Sequence, residues 1–159
     1  MNQSAYKPFY DQVGRLNGWN FCQVQCSTTG AQWNLYDEVA LRCRPSDLLL
    51  DMGTGGGEAL LSIADSALLL IGIDQSYGML ETAALNITKS GKSNVRILKM
   101  DAEQSLNSPD SFFDIVSSRH CGFLASEAYR VLAESGSFLT QQVAHHSEFR
   151  PGRERLCDP

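Results

Sequence analysis

Apolar and polar positions change their period along this chain, and each change marks an element. In the first 45 residues the spacing predicts helices: Trp33, Tyr36, Val39, Ala40 and Cys43 recur at helical intervals after a Thr28 or Thr29 cap, and Pro45 ends the run. Between the helical parts, NGWNFCQVQCSTTG reads as a loop rich in turn formers and aromatics. From position 46 strand-like runs alternate with helix-like ones: DLLLDM, EALLSIADS, ALLLIGID, YGMLETAALNITKSG, NVRILKMD, FFDIVSS, LASEAYRVLAESG and SFLTQQV. Strands separated by helices of this length pair in parallel through right-handed crossovers and are covered on both faces. The reading is an α/β, doubly wound, mainly parallel sheet spanning 46–143, with a helical extension over 1–45 and an irregular tail over 144–159. Ligands of such sheets bind beyond the carboxyl ends of the strands, where strand order reverses. That rule singles out residues 51–57, 74–76, 101–103 and 117–120.

Composition adds mainly exclusions. The chain has 159 residues, 43% of them hydrophobic, enough for one core. Its net charge of −5 argues against a broad nucleic-acid footprint, because Arg150, Arg153 and Arg155 form the only cationic cluster. The amino terminus lacks a secretory pattern, and the longest apolar run, ALLLIGI, is too short to span a bilayer. A cytoplasmic protein without a membrane partner is expected. Cys22, Cys26, Cys43, Cys121 and Cys157 have no framework spacing and read as free thiols. Cys22 and Cys26 with His145 and His146 match no zinc spacing, so no metal site is assigned.

The segment LLLDMGTGGGEALL carries the chemistry. Unpaired amides and the helix dipole at such a turn favour an anion. The dinucleotide fingerprint G-x-G-x-x-G fails, because counting from Gly53 puts Glu58 where the third glycine belongs, and no Gly-Lys-Ser/Thr phosphate loop follows. What fits is acid-x-G-x-G-x-G: Asp51, Gly53, Gly55 and Gly57, with Thr54 inside the turn. The next strand ends at Asp74, where a carboxylate can accept both hydroxyls of a ribose. The third ends at Asp101, placed to accept from an exocyclic amine, with the Ala102 amide available to a ring nitrogen and Glu103 beside it. These residues outline an adenosine site whose other end is not a phosphate.

Four segments in this order resemble the Rossmann-like S-adenosylmethionine-dependent methyltransferases over about residues 46–143. LLLDMGTGGGEALL is similar to the family's first motif and IGIDQSYGML to its V-G-x-D-x-S-x-x-M-L segment. MDAEQSLNSPDSFFDIV is similar to D-A-E-x-L-P-F-x-D-x-S-F-D-x-V, and EAYRVLAESGSFL to E-x-x-R-V-L-K-P-G-G-x-F-L. The resemblance implies S-adenosyl-L-methionine as cofactor. Asp51 would help orient its amino group, the glycine backbone would pass its amino-acid arm, Asp74 would hold the ribose, and Gln75 or Met79 would border the adenine. Ser118 and Arg119 would contact the amino-acid portion. An activated methyl group needs an acceptor held in line in a pocket with little water, plus a base if the acceptor must lose a proton. His120 is the titratable candidate for that base.

No Asn/Asp-Pro-Pro-aromatic stretch follows the fourth strand, where the chain reads SSRH, and no paired-glutamate loop of the protein-arginine enzymes is present. A small-molecule acceptor remains by elimination. Tyr6, Phe9, Tyr10, Trp19 and Phe21 are candidates for a lid over it. The crossover SSRHCGFLASEAYRVL is shorter than the family's and is expected to leave the acceptor side open. AESG replaces K-P-G-G, keeping only Gly136 for a positive φ. The last strands of the family's sheet have no counterpart after Val143, which predicts an exposed fifth-strand edge covered by a homo-oligomer, or a shortened form of a longer enzyme. Two rivals stand beside methyl transfer: an inactive cofactor-binding module or partner subunit, and a nicotinamide-dependent oxidoreductase.

Overall fold

The computed structural model describes residues 33–142 together with Pro8, Asp11, Gln12 and Arg15. The lid aromatics, the Thr28 or Thr29 cap, Cys22, Cys26, Cys157, the histidine pair and the arginine cluster lie outside the described residues.

Helix α1 (Leu35–Arg42) starts at Asn34, whose side chain accepts from the Tyr36 N–H at 2.9 Å. Asp37 and Glu38 in its first turn and Arg42 in its last complement the helix dipole. Trp33, expected inside the helix, precedes the cap. The sheet follows: β1 (Leu48–Met52), β2 (Leu69–Asp74), β3 (Val95–Lys99), β4 (Phe113–Arg119) and β5 (Leu132–Gln141). Strand order is β3-β2-β1-β4-β5 and every pairing is parallel. Order therefore reverses between β1 and β4, where Asp51 stands opposite Gly72 on one side and Ser117 on the other. Among the described residues β5 pairs only with β4.

Side chains of a strand alternate between faces, so β1 serves two cores. Leu49 packs with α1 (Leu35, Tyr36, Val39), Leu60 and Ile63. Leu50 and Met52 pack on the other face with Phe113, Ala128 and Val131. Helix α2 (Glu58–Ser62) is short: the expected single helix over 58–66 breaks at Ile63, φ −110°, into a 3-10 turn at Ala64–Ser66. Helix α3 (Tyr77–Ser90) opens on Ser76, whose hydroxyl accepts from the Met79 N–H at 3.2 Å, and closes on Gly91 at φ +69°. The Ser76 hydroxyl also donates to Asp11 at 2.8 Å, so a helical residue of the extension reaches the start of α3.

The turn expected at 133–136 is absent. Helix α4 (Ala125–Val131) runs directly into β5, and the register jumps from Phe113↔Leu132 to Ile115↔Ser137, so Ala133–Gly136 bulges out of step. Gly136 has no positive φ. It is needed for room, because a Cβ there would lie 2.8 Å from the Asp114 carbonyl oxygen.

Candidate functional site

The four strand ends meet at the reversal point. Asp51, the fourth residue of β1, is fully buried. The Ser117 hydroxyl donates to its Oδ1 at 2.7 Å, and the Tyr36 hydroxyl donates to both oxygens at 3.3 and 3.2 Å. Burial pushes its pKa up to about 6 against the pull of these donors, with the charge of Asp74 adding to the rise. Burial, and then Asp51 itself, drive the Tyr36 phenol upward as well, which keeps it a proton donor to the carboxylate.

After Met52 the chain leaves the sheet through Gly53, Gly55 and Gly57, all left-handed at φ +76°, +57° and +76°. A residue with a Cβ is strained there, which explains alternate glycines. The turn is pinned to β2: the Gly53 and Thr54 amides donate to the Ile73 carbonyl at 2.9 and 3.0 Å, and the Gly55 amide donates to Asp74 Oδ2 at 2.9 Å. Asp74 Oδ1 accepts from the Ser76 amide at 2.8 Å. Burial still raises the Asp74 pKa against these bonds. Thr54 is buried, and its hydroxyl lies close enough to the Asp51 carboxyl to help hold that pKa down, although it falls short of ideal hydrogen-bond geometry.

Glu58 carries its carboxylate back over Gly56, where a Cβ would lie 2.5 Å from Oε1, and accepts from Asn86 Nδ2 at 3.2 Å. A fixed negative charge at the start of α2 opposes a pyrophosphate there. Gln75 is exposed at the tip of β2, whereas the Met79 side chain is buried in the first turn of α3. After β3, Asp101 Oδ1 accepts from the Glu103 amide at 2.9 Å, and the buried Ala102 offers its carbonyl to the Leu124 amide at 2.8 Å. At the end of β4, Ser118 is buried while Arg119 and the following His120 are exposed. Partial burial and the Arg119 charge lower the His120 pKa.

The crossover after β4, expected to leave the site open, turns into it. Cys121 packs against Gly53 and Gly122 lies on the Glu103 carboxyl group. Burial, then the charges of Asp74, Asp51, Glu103 and Asp101, push the Cys121 thiol up to about 12. Ser117 lies in the strand-end segment 117–120 that the sequence singled out, although no role was assigned to it; Tyr36 and Cys121 are the site residues that motif reading missed. Tyr36 had only its helical spacing, and the approach of Cys121 to Gly53 exists only in three dimensions.

Left-handed glycines, the buried Thr54 hydroxyl and four carboxylates gather at the reversal of a parallel, Rossmann-like sheet, surroundings that suit a ligand with cationic and polar groups. A methyltransferase-domain family model matches residues 49–142, and the chain belongs to that family. It is 34% identical over 131 residues to an uncharacterized methyltransferase of Bacillus subtilis, YcgJ, an alignment covering 74% of this chain and 51% of that protein. The crystal structure of YcgJ superposes with a TM-score of 0.63 at 31% identity, covering 67% of this chain and 49% of the other. A demethylmenaquinone methyltransferase of Symbiobacterium thermophilum is 30% identical over 134 residues, covering 77% of this chain and 53% of that enzyme. The chain thus spans about half the length of these relatives. A methyltransferase from Geobacter sulfurreducens, solved with S-adenosyl-L-homocysteine, shares the fold at TM-score 0.55 and 24% identity, covering 67% of this chain and 46% of its own. The residues present fit S-adenosylmethionine: the acidic surroundings suit its sulfonium and ammonium charges, and the Thr54 hydroxyl and the bare glycine turn suit its polar arm.

Proposed function

We propose that this domain transfers a methyl group from S-adenosylmethionine to a small-molecule acceptor. The observation that carries the reading is Asp74, fixed at the tip of β2 by the Gly55 and Ser76 amides, so that one carboxylate organises both the glycine turn and the adjoining crevice. Asp74 would accept the ribose hydroxyls, while Asp101 and Ala102 would read the adenine edge with Gln75, Met79 and Glu103 around it. Gly53, Thr54, Gly55 and Gly57 would line the amino-acid arm, with Asp51, Ser118 and Arg119 near its charged end. The cofactor supplies a methyl group already activated by its sulfonium, so the chain's task is orientation and exclusion of water.

Calorimetry with S-adenosylmethionine and S-adenosylhomocysteine is expected to show binding that Asp74→Ala weakens by about 3–6 kcal/mol, the worth of two hydrogen bonds to a charged acceptor. Unchanged affinity would remove Asp74 from the site.

His120 would accept a proton from the acceptor. Its lowered pKa keeps the imidazole neutral at pH 7, so activity should fall only as the pH drops through a value below the usual 6.5. His120→Gln should lower kcat and erase that acid limb while leaving cofactor affinity intact. An unaltered pH–rate profile in the variant would exclude the role.

A further inference from the structure

The crossover Arg119–Leu124 is tied down on three sides. The His120 amide donates to the Gln141 carbonyl of β5 at 2.9 Å, and the Leu124 amide to the Ala102 carbonyl beyond β3 at 2.8 Å. Between them the Cys121 carbonyl accepts from Ser118 Oγ at 3.3 Å and from Gln142 Nε2 at 3.1 Å. This path requires His120 to adopt φ +54°, a left-handed conformation unfavourable for a residue with a Cβ. The strained turn delivers Cys121 onto the face of Gly53: a Cβ placed on Gly53 would lie 2.6 Å from the Cys121 sulfur. The first glycine of the turn is thus already covered by the chain's own side chain, and the neighbouring Gly122 covers Glu103.

We propose that Cys121 is a gating residue: it competes with the cofactor's amino-acid arm for the face of Gly53, and Arg119–Leu124 must lift for the arm to bind. This rests on the reading of the crevice as the S-adenosylmethionine site. The ribose grip does not move with the crossover, because the Asp74 carboxylate is held by the Gly55 and Ser76 amides. Lifting releases the His120 backbone from its left-handed conformation, which offsets part of the loss of the tethers. The apparent affinity for any ligand with the arm is reduced by the fraction of molecules in which Cys121 is seated, and a ligand without the arm escapes that reduction.

The test compares S-adenosylhomocysteine with 5′-methylthioadenosine, which lacks the amino-acid arm, on the wild-type chain and on Cys121→Gly and Cys121→Val. Cys121→Gly is expected to tighten S-adenosylhomocysteine binding about three- to tenfold and to leave methylthioadenosine unchanged, while Cys121→Val weakens only the former. Alkylation of Cys121 by iodoacetamide, followed peptide by peptide by mass spectrometry, should be slow in the free protein. S-adenosylhomocysteine should accelerate it and methylthioadenosine should not. Equal effects of Cys121→Gly on both ligands, or protection of Cys121 by S-adenosylhomocysteine, would overturn the gate while leaving the cofactor site standing. Failure of both ligands to bind any of the three proteins would remove the cofactor reading and the gate with it.

Discussion

Asp51 is a carboxylate with no exposed surface, held by hydroxyl groups instead of a cation. Taking a carboxylate out of water disfavours its charge, and neutral donors offset only part of that cost. Its folded pKa of about 6 lies above the value near 3.8 of a free side chain, so the folded protein binds the proton more tightly than the unfolded one. The contribution of Asp51 to stability is therefore largest below about pH 4 and declines as the pH rises through 6. The loss is on the order of 2–3 kcal/mol, at 1.36 kcal/mol per pKa unit. Asp51→Asn should accordingly gain stability over the wild type between pH 4 and pH 8. Denaturant melts at both pH values check this, and a difference independent of pH would refute it. That Asp51, the glycines and Asp74 belong together was legible in their spacing after aliphatic runs. The hydroxyl donors were not, because Tyr36 comes from a preceding helix and reads as ordinary core.

Helix α4 shows how a motif read as a family mark earns its place physically. Glu127 and Arg130 form a clip over the β3–β4 connection. Glu127 Oε2 accepts from the Leu106 amide at 2.7 Å, and Arg130 donates to the Leu106 and Ser108 carbonyls at 2.9 and 2.8 Å and to Asp110 at 2.5 Å. The Arg130 guanidinium, followed by the Leu106 amide, holds the Glu127 carboxyl down at about 2, so the clip stays ionised across the neutral range. The same connection carries Asp101 and Ala102. Arg130→Ala should speed amide exchange at Leu106 and across 104–110, with the strands unaffected, as hydrogen-exchange mass spectrometry would register. Unchanged exchange in that segment would deny the clip. Strands and helices were largely legible from their periods. The α4–β5 junction was not, since apolar residues continue across it and neither glycine nor proline marks the change. What decides it is the pairing of Leu132 with Phe113, a contact remote in sequence.

Parallel pairing with strand order β3-β2-β1-β4-β5 places the carboxyl ends of β1 and β4 side by side with their connections leaving in opposite directions, and the crevice follows from that topology. The alternation of apolar runs with amphipathic ones predicted this arrangement because parallel strands need crossovers of helical length. What the sequence did not show is where the short crossover after β4 runs: it carries Cys121 onto Gly53 and Gly122 onto Glu103. The most direct trial of the account is a titration of the isotopically labelled chain with S-adenosylhomocysteine, followed by amide chemical shifts. Perturbations should concentrate at Gly53–Gly57, Asp74–Ser76, Asp101–Glu103 and Ser118–Gly122, the four strand ends around the reversal point, while the amides of β3 and the carboxyl-terminal half of α3 stay in place. A saturating response elsewhere on the surface, or none at millimolar ligand, would contradict it.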